Sequence, residues 1–420
     1  MELILTLDVG TTSVKACLFD RQLRQTALTS REYALQTRGV CAEVEAQVYL
    51  DAAAQCILAL PAEARAKVCA VALTTQGETL LCVDRQGKAL RPAIVWLDSR
   101  AEAQAARLAA ALDRQRFYER TGLPELSGAL PLAKLLWLRE QEPESWARTD
   151  KFLLLEDYLM LWLTGRAVTE KSLLTSTGYF DLQSDDYWDE ALALAELDRT
   201  RLPQALACGS IVGPVLPEVA EALGLPASAC VVTGAALAAG CTRPGTLCET
   251  TGTAMVAAAF TAHPQFSEDH HVTIYRHAMP GAYLYLPISN TIGMSLRWFR
   301  DEFCRDLDGG YAALDRLAQV PPGAQGVTFL PYLAGCVDPD NLPEASGGFY
   351  GLRLSSTRAA CARAILEAAA FQLRDFLNML SALGCTAQTV TSLGGGAGSA
   401  LWMQIKADAC RRPFHTLSTV

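Results

Sequence analysis

The chain has 420 residues, half of them hydrophobic, and this length exceeds one typical hydrophobic core and predicts two domains. A formal net charge of −9 without a basic run excludes nucleic acid and an anionic membrane surface as expected partners, and the sequence shows no membrane-spanning stretch or signal peptide. The fourteen cysteines are scattered without a CxxC pair, a pattern typical of reduced thiols and therefore of a cytoplasmic protein.

The first half of the chain alternates predicted strands and helices. Leu3, Leu5 and Leu7 alternate with Ile4, Thr6 and Asp8, and 14–19 is again mainly apolar, which predicts a β-hairpin closed by a tight turn. Further strands are predicted at 68–74 and 79–84, and helices at 46–60, 99–114, 130–141, 151–163 and 187–196. A short helix within 214–224, ended by Gly224, leads into the buried strand "ACVVTG".

The second half begins with another hairpin pattern, "RPGTLCETTGTAMVAAAF". Strands are predicted within 272–288, helices near 291–304, 311–319 and 357–382, and a final strand, loop and helix in "TVTSLGGGAGSALWMQIKADA". The histidines of "SEDHHVTIYRH" are interpreted as part of a loop and a strand, because their spacing fits no usual zinc pattern.

The stretch "LDVGTTSVKA" has the composition of an anion-binding turn. Gly10 allows close backbone approach, and Thr11, Thr12 and Ser13 offer hydroxyls beside backbone N–H groups, with Asp8 placed to hold a cation over the anion. An ordinary polar turn is the better interpretation of one such stretch alone. The layout recurs in "TLCETTGTAMVAAAF", however, so the two halves are predicted to carry two phosphate-binding turns on either side of a cleft.

Three further stretches resemble the signatures of a known family. "GALPLAKLLWLREQ", "GGFYGLRLSSTRAACARAILE" and "SLGGGAGSALWMQIKADACRRP" are similar, in this order, to motifs of the FGGY family of carbohydrate kinases. The resemblance implies an α/β fold with two ribonuclease-H-like domains of the actin and hexokinase ATPase type flanking a nucleotide cleft. It places the N-terminal domain at 1–243 and the C-terminal domain at 244–420.

The resemblance also implies roles for individual residues in binding ATP and Mg²⁺. Asp8 would act on Mg²⁺ through water, and Lys15 stands where the family often has a basic residue near the transferred phosphate. The residues implied in binding ATP are Gly10, Thr11, Thr12, Ser13 and Lys15 in the first turn, Thr251, Gly252 and Thr253 in the second, and Gly394, Gly395, Gly396 and Ala397 under the adenosine. A simple strand-to-helix turn remains the alternative for the glycine-rich loop.

The acceptor side resembles the sugar-binding segment of the family in "TTQGETLL" and "WLDSR". Gln76 and Glu78 occupy the positions that hydrogen-bond substrate hydroxyls, and Asp98 and Arg100 match the family's Trp-x-Asp-x-Arg pattern. Charged and amide groups suit a small sugar or polyol because they form strong hydrogen bonds with hydroxyls. The alternative for Asp98 and Arg100 is a mutual ion pair at a helix start, with Asp98 as the N-cap.

Two departures from the family pattern bear on function. In the family, a glycine-rich turn after the strand matching "VVTG" carries the aspartate that acts as general base on the acceptor hydroxyl. Here no Asp or Glu stands between Gly234 and Gly245, so no catalytic residue is assigned, and the nearest acid, Glu249, belongs to the second hairpin. The family also continues past the adenosine loop, so the second domain is predicted to be incomplete, with an uncovered apolar face that favours association, for example as a homodimer.

Three functions remain open on the sequence. The first is an ATP-dependent kinase acting on a ketopentose or a glycerol-like polyol, slowed by the roughly 10²–10⁴-fold that a general base contributes. The second is a pseudokinase that binds nucleotide or sugar, and the third is an Hsp70-like or actin-like ATPase, against which the sugar-binding segment argues. A sequence of an active kinase that lacks the aspartate segment would read the same way.

Overall fold

A computed structural model describes residues 2–234, 241–267, 271–336, 338, 342 and 344–417. The chain divides into two compact units, Met1–Ala236 with Ala278–Pro280, and Leu237–His277 with Gly281–Val420. No helix in these described ranges combines the length and the apolar character that a membrane crossing requires.

The first unit mixes strands and helices along the chain. Its strands are β1 Leu3–Val9, β2 Ser13–Phe19, β3 Gln25–Glu32, β4 Gln36–Arg38, β5 Cys41–Val44, β6 Val68–Thr75, β7 Leu80–Val83, β8 Ala93–Ile94, β9 Lys151–Leu154, β10 Val168–Glu170, β11 Phe180–Asp181, β12 Asp186–Tyr187, β13 Gln204–Leu206, β14 Ile211–Pro214 and β15 Cys230–Val232. Its helices are α1 Ala46–Ala59, α2 Ala62–Arg65, α3 Glu102–Ala111, α4 Arg114–Thr121, α5 Pro131–Gln141, α6 Pro143–Arg148, α7 Leu155–Thr164, α8 Lys171–Leu174, α9 Asp189–Leu194 and α10 Pro217–Leu223.

The main sheet of the first unit has the strand order β14-β15-β6-β1-β2-β3. The predicted hairpin forms β1 and β2, which pair antiparallel from Ile4 opposite Phe19 to Val9 opposite Val14. Strand β6 runs parallel to β1, and β15 runs parallel to β6. Because parallel strands end at the same edge of a sheet, the residues that follow β1, β6 and β15 are brought to one edge, where ligands bind in open α/β sheets.

The alternation read from the sequence becomes the core of this unit. Leu3, Leu5 and Leu7 of β1 are buried on one face of the sheet, and α1 packs there through Tyr49 and Cys56. A second sheet, in the order β4-β5-β8-β7-β9, continues from the acceptor segment through β7. The acceptor segment is therefore held at both ends by buried strands.

The second unit contains a sheet of the same design. Its elements are β16 Leu247–Thr251, β17 Met255–Thr261, β18 Ile274–Arg276, β19 Tyr283–Tyr285, β20 Ile288–Ser289, β21 Thr328–Leu330, β22 Gly348–Tyr350, β23 Val390–Leu393, β24 Phe414–Thr416, α11 Ile292–Phe303, α12 Gly310–Leu317, α13 Arg358–Ala382 and α14 Ala400–Cys410. The order is β18-β19-β17-β16-β23-β24, with β20 also paired to β17. As in the first unit, an antiparallel hairpin has an antiparallel strand on one side and two parallel strands on the other.

The helix predicted at 151–163 is wrong in its first turn. Lys151–Leu154 forms β9, which pairs antiparallel with β7, and the helix begins at Leu155. The Asp157 carboxylate accepts a hydrogen bond from the Leu154 amide at 2.7 Å, which fixes that start. The helix predicted at 99–114 begins at Glu102 with Ala101 at its N-cap, so Asp98 does not cap it.

Candidate active site

The first predicted phosphate turn is a tight, braced connection between β1 and β2. The Gly10 amide donates to the Ser13 carbonyl at 2.9 Å. The Tyr33 hydroxyl donates to the Gly10 carbonyl, and Trp96 Nε1 donates to Thr11 Oγ1 at 2.9 Å. Three side chains of this connection are exposed, those of Asp8, Thr12 and Lys15. Asp8 and Lys15 stand opposite each other in the register of β1 and β2. The turn therefore presents a hydroxyl, an ammonium and a carboxylate group, and hydrogen bonds from two aromatic residues fix its conformation.

A chain of contacts joins this turn to the acceptor segment. Gln76 follows β6, and its amide donates to the Val9 carbonyl at 2.9 Å. Its side-chain Nε2 donates to the Tyr49 hydroxyl at 3.1 Å, and the Tyr49 ring meets the Tyr33 ring edge to face at 5.3 Å. Gln76 Oε1 is buried and has no hydrogen-bond partner in the described part of the chain. That oxygen therefore has an unused capacity to accept a hydrogen bond.

Glu78 is a half-buried carboxyl on an unusual backbone. Its φ of +62° lies in the left-handed region that non-glycine residues seldom adopt. Burial raises the pKa of Glu78 well above its ordinary range, while the Lys134 ammonium and a hydrogen bond with Ser176 oppose the shift. Such a carboxyl takes up and releases a proton nearer neutrality than a solvated one.

Lys134 is fully buried on α5 beside this carboxyl. Its Nζ donates to the Val95 carbonyl at 3.0 Å. Burial lowers the pKa of Lys134, and the nearby Glu78 and Asp98 carboxylates oppose that change. The lysine of the first family-like signature thus supplies positive charge below the acceptor segment.

Asp98 and Arg100 are turned toward each other. Arg100 Nε lies 2.8 Å from Asp98 Oδ1 and Nη2 lies 2.7 Å from Oδ2, and the Ala42 amide also donates to Asp98. The guanidinium contacts Glu43 at 2.8 Å and stacks over the Trp137 ring at 4.9 Å. Although burial opposes it, hydrogen bonding from Arg100 and Ala42 lowers the pKa of Asp98. The mutual pair is what the structure shows, and substrate binding by these two residues stays a prediction.

The second predicted phosphate turn follows β16 and rests on a buried ion pair. Glu249 and Lys406 are fully buried with Oε1 and Nζ 2.7 Å apart. Lys406 Nζ also donates to Thr251 Oγ1 at 2.9 Å, and the Thr251 hydroxyl donates to Glu249 at 2.7 Å. Ser392 donates to the same carboxylate. Thr251 is thereby fixed, while Gly252 and Thr253 are exposed at the tip.

The glycine-rich loop packs directly on this turn. Gly394 has φ +75°, and a Cβ there would lie 2.6 Å from the Thr251 carbonyl oxygen. Gly395–Gly398 forms a 3₁₀ turn, after which Ser399 caps α14 by accepting from the Trp402 amide at 3.1 Å. A Cβ at Gly396 would likewise lie 2.9 Å from the Thr251 Cβ, so packing against Thr251 requires glycine at 394 and 396. Packing makes no such demand at Gly395, and Ala397 already carries a methyl group. The role of Gly394, Gly395, Gly396 and Ala397 under the adenosine stays a prediction.

The segment expected to carry the general base is only partly described. Residues 235–240 lie outside the described residues, and no acid occurs from Gly234 to Gly245 in the sequence. Two acids that could be considered as substitutes are already paired: Glu249 with Lys406 and Asp98 with Arg100, and both carboxylates are fully buried. Glu156 accepts from the Gly234 amide at 3.4 Å but is itself buried.

Sequence reasoning missed the residues that brace the two turns. Tyr33 and Tyr49 reach their contacts from outside every motif, and Lys406 lies in the third family-like stretch without any sign there of its partner Glu249. Trp96 stands in the Trp-x-Asp-x-Arg pattern, so a signal for it was present. Its contact with Thr11 shows that this pattern also supports the first predicted phosphate turn.

Comparison with known proteins places this geometry in a family. The models of the FGGY family of carbohydrate kinases match residues 3–238 for the N-terminal domain and 247–419 for the C-terminal domain. The xylulose kinase of Escherichia coli (strain K12) is 30% identical over 411 residues, covering 96% of this chain and 84% of that protein. The gluconokinase of Bacillus subtilis (strain 168) is 28% identical over 428 residues, covering 96% of this chain and 82% of its own length.

A solved structure gives the same result. The xylulose kinase from Rhodospirillum rubrum superposes with a TM-score of 0.89 at 31% identity, covering 99% of this chain and 86% of that chain. Nothing in these comparisons favours a pseudokinase. The two similar sheets, each carrying a Gly/Thr turn, together with these matches over nearly the whole length, show that the chain belongs to the FGGY family of carbohydrate kinases, enzymes that transfer a phosphoryl group from ATP to a sugar hydroxyl.

Proposed function

We propose that the chain phosphorylates a hydroxyl group of a small ketopentose or glycerol-like polyol. The observation that carries the proposal is the connection from Gly10 through Tyr33 and Tyr49 to Gln76. It fixes a phosphate-type turn and a hydroxyl-reading side chain relative to each other within one unit. Phosphoryl transfer depends chiefly on such positioning of donor and acceptor.

The proposed roles follow the two domains, 1–243 and 244–420. In the first, Gly10–Ser13 and Lys15 bind phosphate groups of ATP, and Gln76 and Glu78 bind acceptor hydroxyls. In the second, Thr251–Thr253 binds phosphate through its exposed tip and the loop 394–397 lies under the adenosine. Asp98 and Arg100 contribute to acceptor binding because their ion pair fixes the conformation of the segment that follows β8. Two observations support these roles. The turns have exposed residues at their tips, and Gln76 Oε1 has no hydrogen-bond partner in the described part of the chain.

Asp8 fits a magnesium ion that accompanies ATP. The described ranges contain no cluster of three or more His, Cys, Asp or Glu side chains able to hold a metal alone. Mg²⁺ suits a single exposed carboxylate, since it keeps several waters and takes its remaining ligands from phosphates. When bound, the ion neutralises charge that develops on the transferred phosphoryl group.

The direct test of this function is sugar-dependent release of ADP. Xylulose, ribulose, glycerol and gluconate are offered separately with Mg-ATP, and ADP is measured by a coupled assay. We expect one of them to raise ADP release well above the rate without acceptor. An equal rate with and without every acceptor would contradict the proposal and favour an acceptor-independent ATPase.

Replacing Asp8 with asparagine is expected to weaken Mg-ATP binding at least about tenfold without unfolding the chain, because the exposed carboxylate carries no packing load. Isothermal titration calorimetry measures the affinity, and thermal unfolding checks the fold. Asp51→Asn, the same change at an exposed position on α1, serves as the control. Equal Mg-ATP affinity in both variants and the wild type would remove Asp8 from the metal site.

Replacing Gln76 with alanine is expected to weaken acceptor binding by about 1–3 kcal/mol through loss of one or two hydrogen bonds. The matched control is Gln104→Ala, since Gln104 also has a buried Oε1 without a partner and lies on α3. Acceptor affinity is measured by calorimetry with ATP absent. If the two variants bind the acceptor equally well, the pocket does not include Gln76.

We further propose a cytoplasmic location and a homodimer. The support for the location is the scattered placement of fourteen cysteines without a CxxC pair, a pattern typical of reduced thiols. Tyr350, Leu352 and Leu354 are 77%, 55% and 110% exposed, an apolar stretch that favours association. Light scattering after size-exclusion chromatography tests the dimer, and a monomer mass would contradict it.

A further inference from the structure

The reaction requires an acceptor for one proton, and the chain lacks the family's usual one. When a hydroxyl oxygen attacks phosphorus, its proton must leave, and a positioned base speeds that transfer. The aspartate of the family pattern has no counterpart between Gly234 and Gly245. A kinase with this sequence that avoids the roughly 10²–10⁴-fold loss of rate must therefore take the proton on a carboxylate from another element.

The shared edge of the main sheet narrows the choice. Strand β15, after which the family places its base, pairs directly with β6, and Glu78 lies three residues beyond the end of β6. Asp98 and Glu249 are fully buried and already paired with cations. Asp8 is committed to the proposed metal, and Glu156, which accepts from the Gly234 amide beyond β15, is buried. Among the acids named, Glu78 therefore remains as a partly exposed carboxyl without another assigned role in metal binding or ion pairing.

The immediate surroundings of Glu78 suit a proton acceptor. Burial favours its neutral form, whereas the Lys134 ammonium, fully buried on α5, favours the carboxylate. The charged groups around Lys134 are Asp98 and Arg100, which form their own pair. Gln76, two residues earlier, has a buried side-chain oxygen without a hydrogen-bond partner in the described part of the chain.

We infer that Glu78 is the general base of this enzyme, accepting the proton of the acceptor hydroxyl. The inference rests on the proposed function. The hydroxyl oxygen forms a bond to the γ-phosphorus of ATP, the bond from that phosphorus to the β-phosphate oxygen breaks, and ADP leaves. The hydroxyl proton passes to the Glu78 carboxylate, which later returns it to solvent. Lys134 is a positioning residue that keeps Glu78 ionised before the transfer.

The first experiment separates proton transfer from binding. Wild type and Glu78→Gln are compared for kcat and KM with the best acceptor found in the ADP-release assay. We expect kcat to fall about 10²–10⁴-fold with a much smaller change in KM. Glu156→Gln is the matched control, because Glu156 is a buried carboxyl near the end of β15 whose raised pKa makes a neutral amide a mild change. Its kcat should stay near that of the wild type.

The second experiment supplies the base from outside. Because Glu78 has positive φ, Glu78→Gly relieves backbone strain while removing the carboxyl, so this variant should fold. Formate added to it is expected to restore part of the lost kcat, whereas formate added to Glu78→Gln should not. Wild-type kcat/KM should rise with pH through an inflection above the ordinary carboxyl range, and this inflection should vanish in Glu78→Gln.

Each outcome decides between the alternatives. A KM effect alone in Glu78→Gln, with kcat unchanged, would overturn the base and leave Glu78 as a binding residue. Loss of kcat in Glu156→Gln with normal Glu78→Gln would transfer the role to Glu156. If the wild type turns over no acceptor, the proposed function and this inference are both overturned. If the wild type is active and Glu78→Gln has the same kcat, only the inference is overturned.

Discussion

Replacing Lys406 with methionine is expected to lower the free energy of unfolding by about 3–5 kcal/mol, the usual cost of leaving one buried charge without its partner. Lys406 is fully buried and bonds both Glu249 and Thr251. The variant strands the Glu249 carboxylate in the interior and frees the Thr251 hydroxyl. Chemical denaturation measures the stability, and nucleotide affinity should fall as well because Thr251 heads the second turn.

The double variant Glu249→Gln with Lys406→Met is the control for this loss. Removing both charges leaves no unpaired ion, so the double variant should be more stable than Lys406→Met alone. If the single and double variants lose equal stability, the loss comes from packing around the Lys406 stem rather than from the charge. In that case the ion pair does not support the turn.

Replacing Gly293 with alanine is expected to lower turnover about 100-fold, as expected for a reacting group displaced by about 1 Å. Gly293 lies in the first turn of α11, and a Cβ there would stand 1.7 Å from the Gly252 carbonyl oxygen. The obstacle is backbone, so either the helix or the second phosphate turn must move. We also expect a stability loss of about 1–3 kcal/mol from overpacking.

Gly348→Ala is the matched control, since a Cβ at that position meets nothing within 4 Å and its φ is not positive. It lies in β22 of the same unit, and its activity should stay near that of the wild type. Steady-state kinetics and ATP titration are measured on both variants. Normal ATP affinity in a folded Gly293→Ala protein would show that the helix yields and the turn keeps its place.

The fold was predictable where the sequence signal is local. The alternation in "LILTLDV" and the recurrence of a Gly/Thr turn in "ETTGTAM" are patterns of neighbours, and both become hairpins in the structure. The strand Lys151–Leu154 was not predictable in the same way. Its apolar residues suit a helix equally well, and only pairing with β7, which lies some seventy residues earlier, selects the strand.

In the candidate site, too, some residues were predictable from local sequence patterns and others were not. The glycines and hydroxyl residues predict the turns, and Gln76 and Glu78 predict the acceptor segment, because each of these residues lies within its own short motif. The residues that support these turns and this segment are not identified by such a local pattern. Tyr49 on α1 looks like an ordinary helix residue, and Lys134 on α5 and Lys406 on α14 lie in family-like stretches that do not show what they contact. Tertiary packing brings Tyr49 and Lys134 beside the acceptor segment and Lys406 under the second turn. Their roles depend on contacts that no short stretch of sequence contains.

The bond between Lys406 and Glu249 also constrains how the second unit is made. The two residues are separated by 157 positions in the chain. A growing polypeptide that already contains β16 and β17 carries the Glu249 carboxylate without its cation until α14 has been synthesised. The phosphate turn of this unit is therefore completed late, whereas that of the first unit, whose partners Tyr33, Tyr49 and Trp96 all follow within the first hundred residues, is completed early. Synthesis from the N-terminus thus gives the two related turns very different waiting times before they acquire their final form.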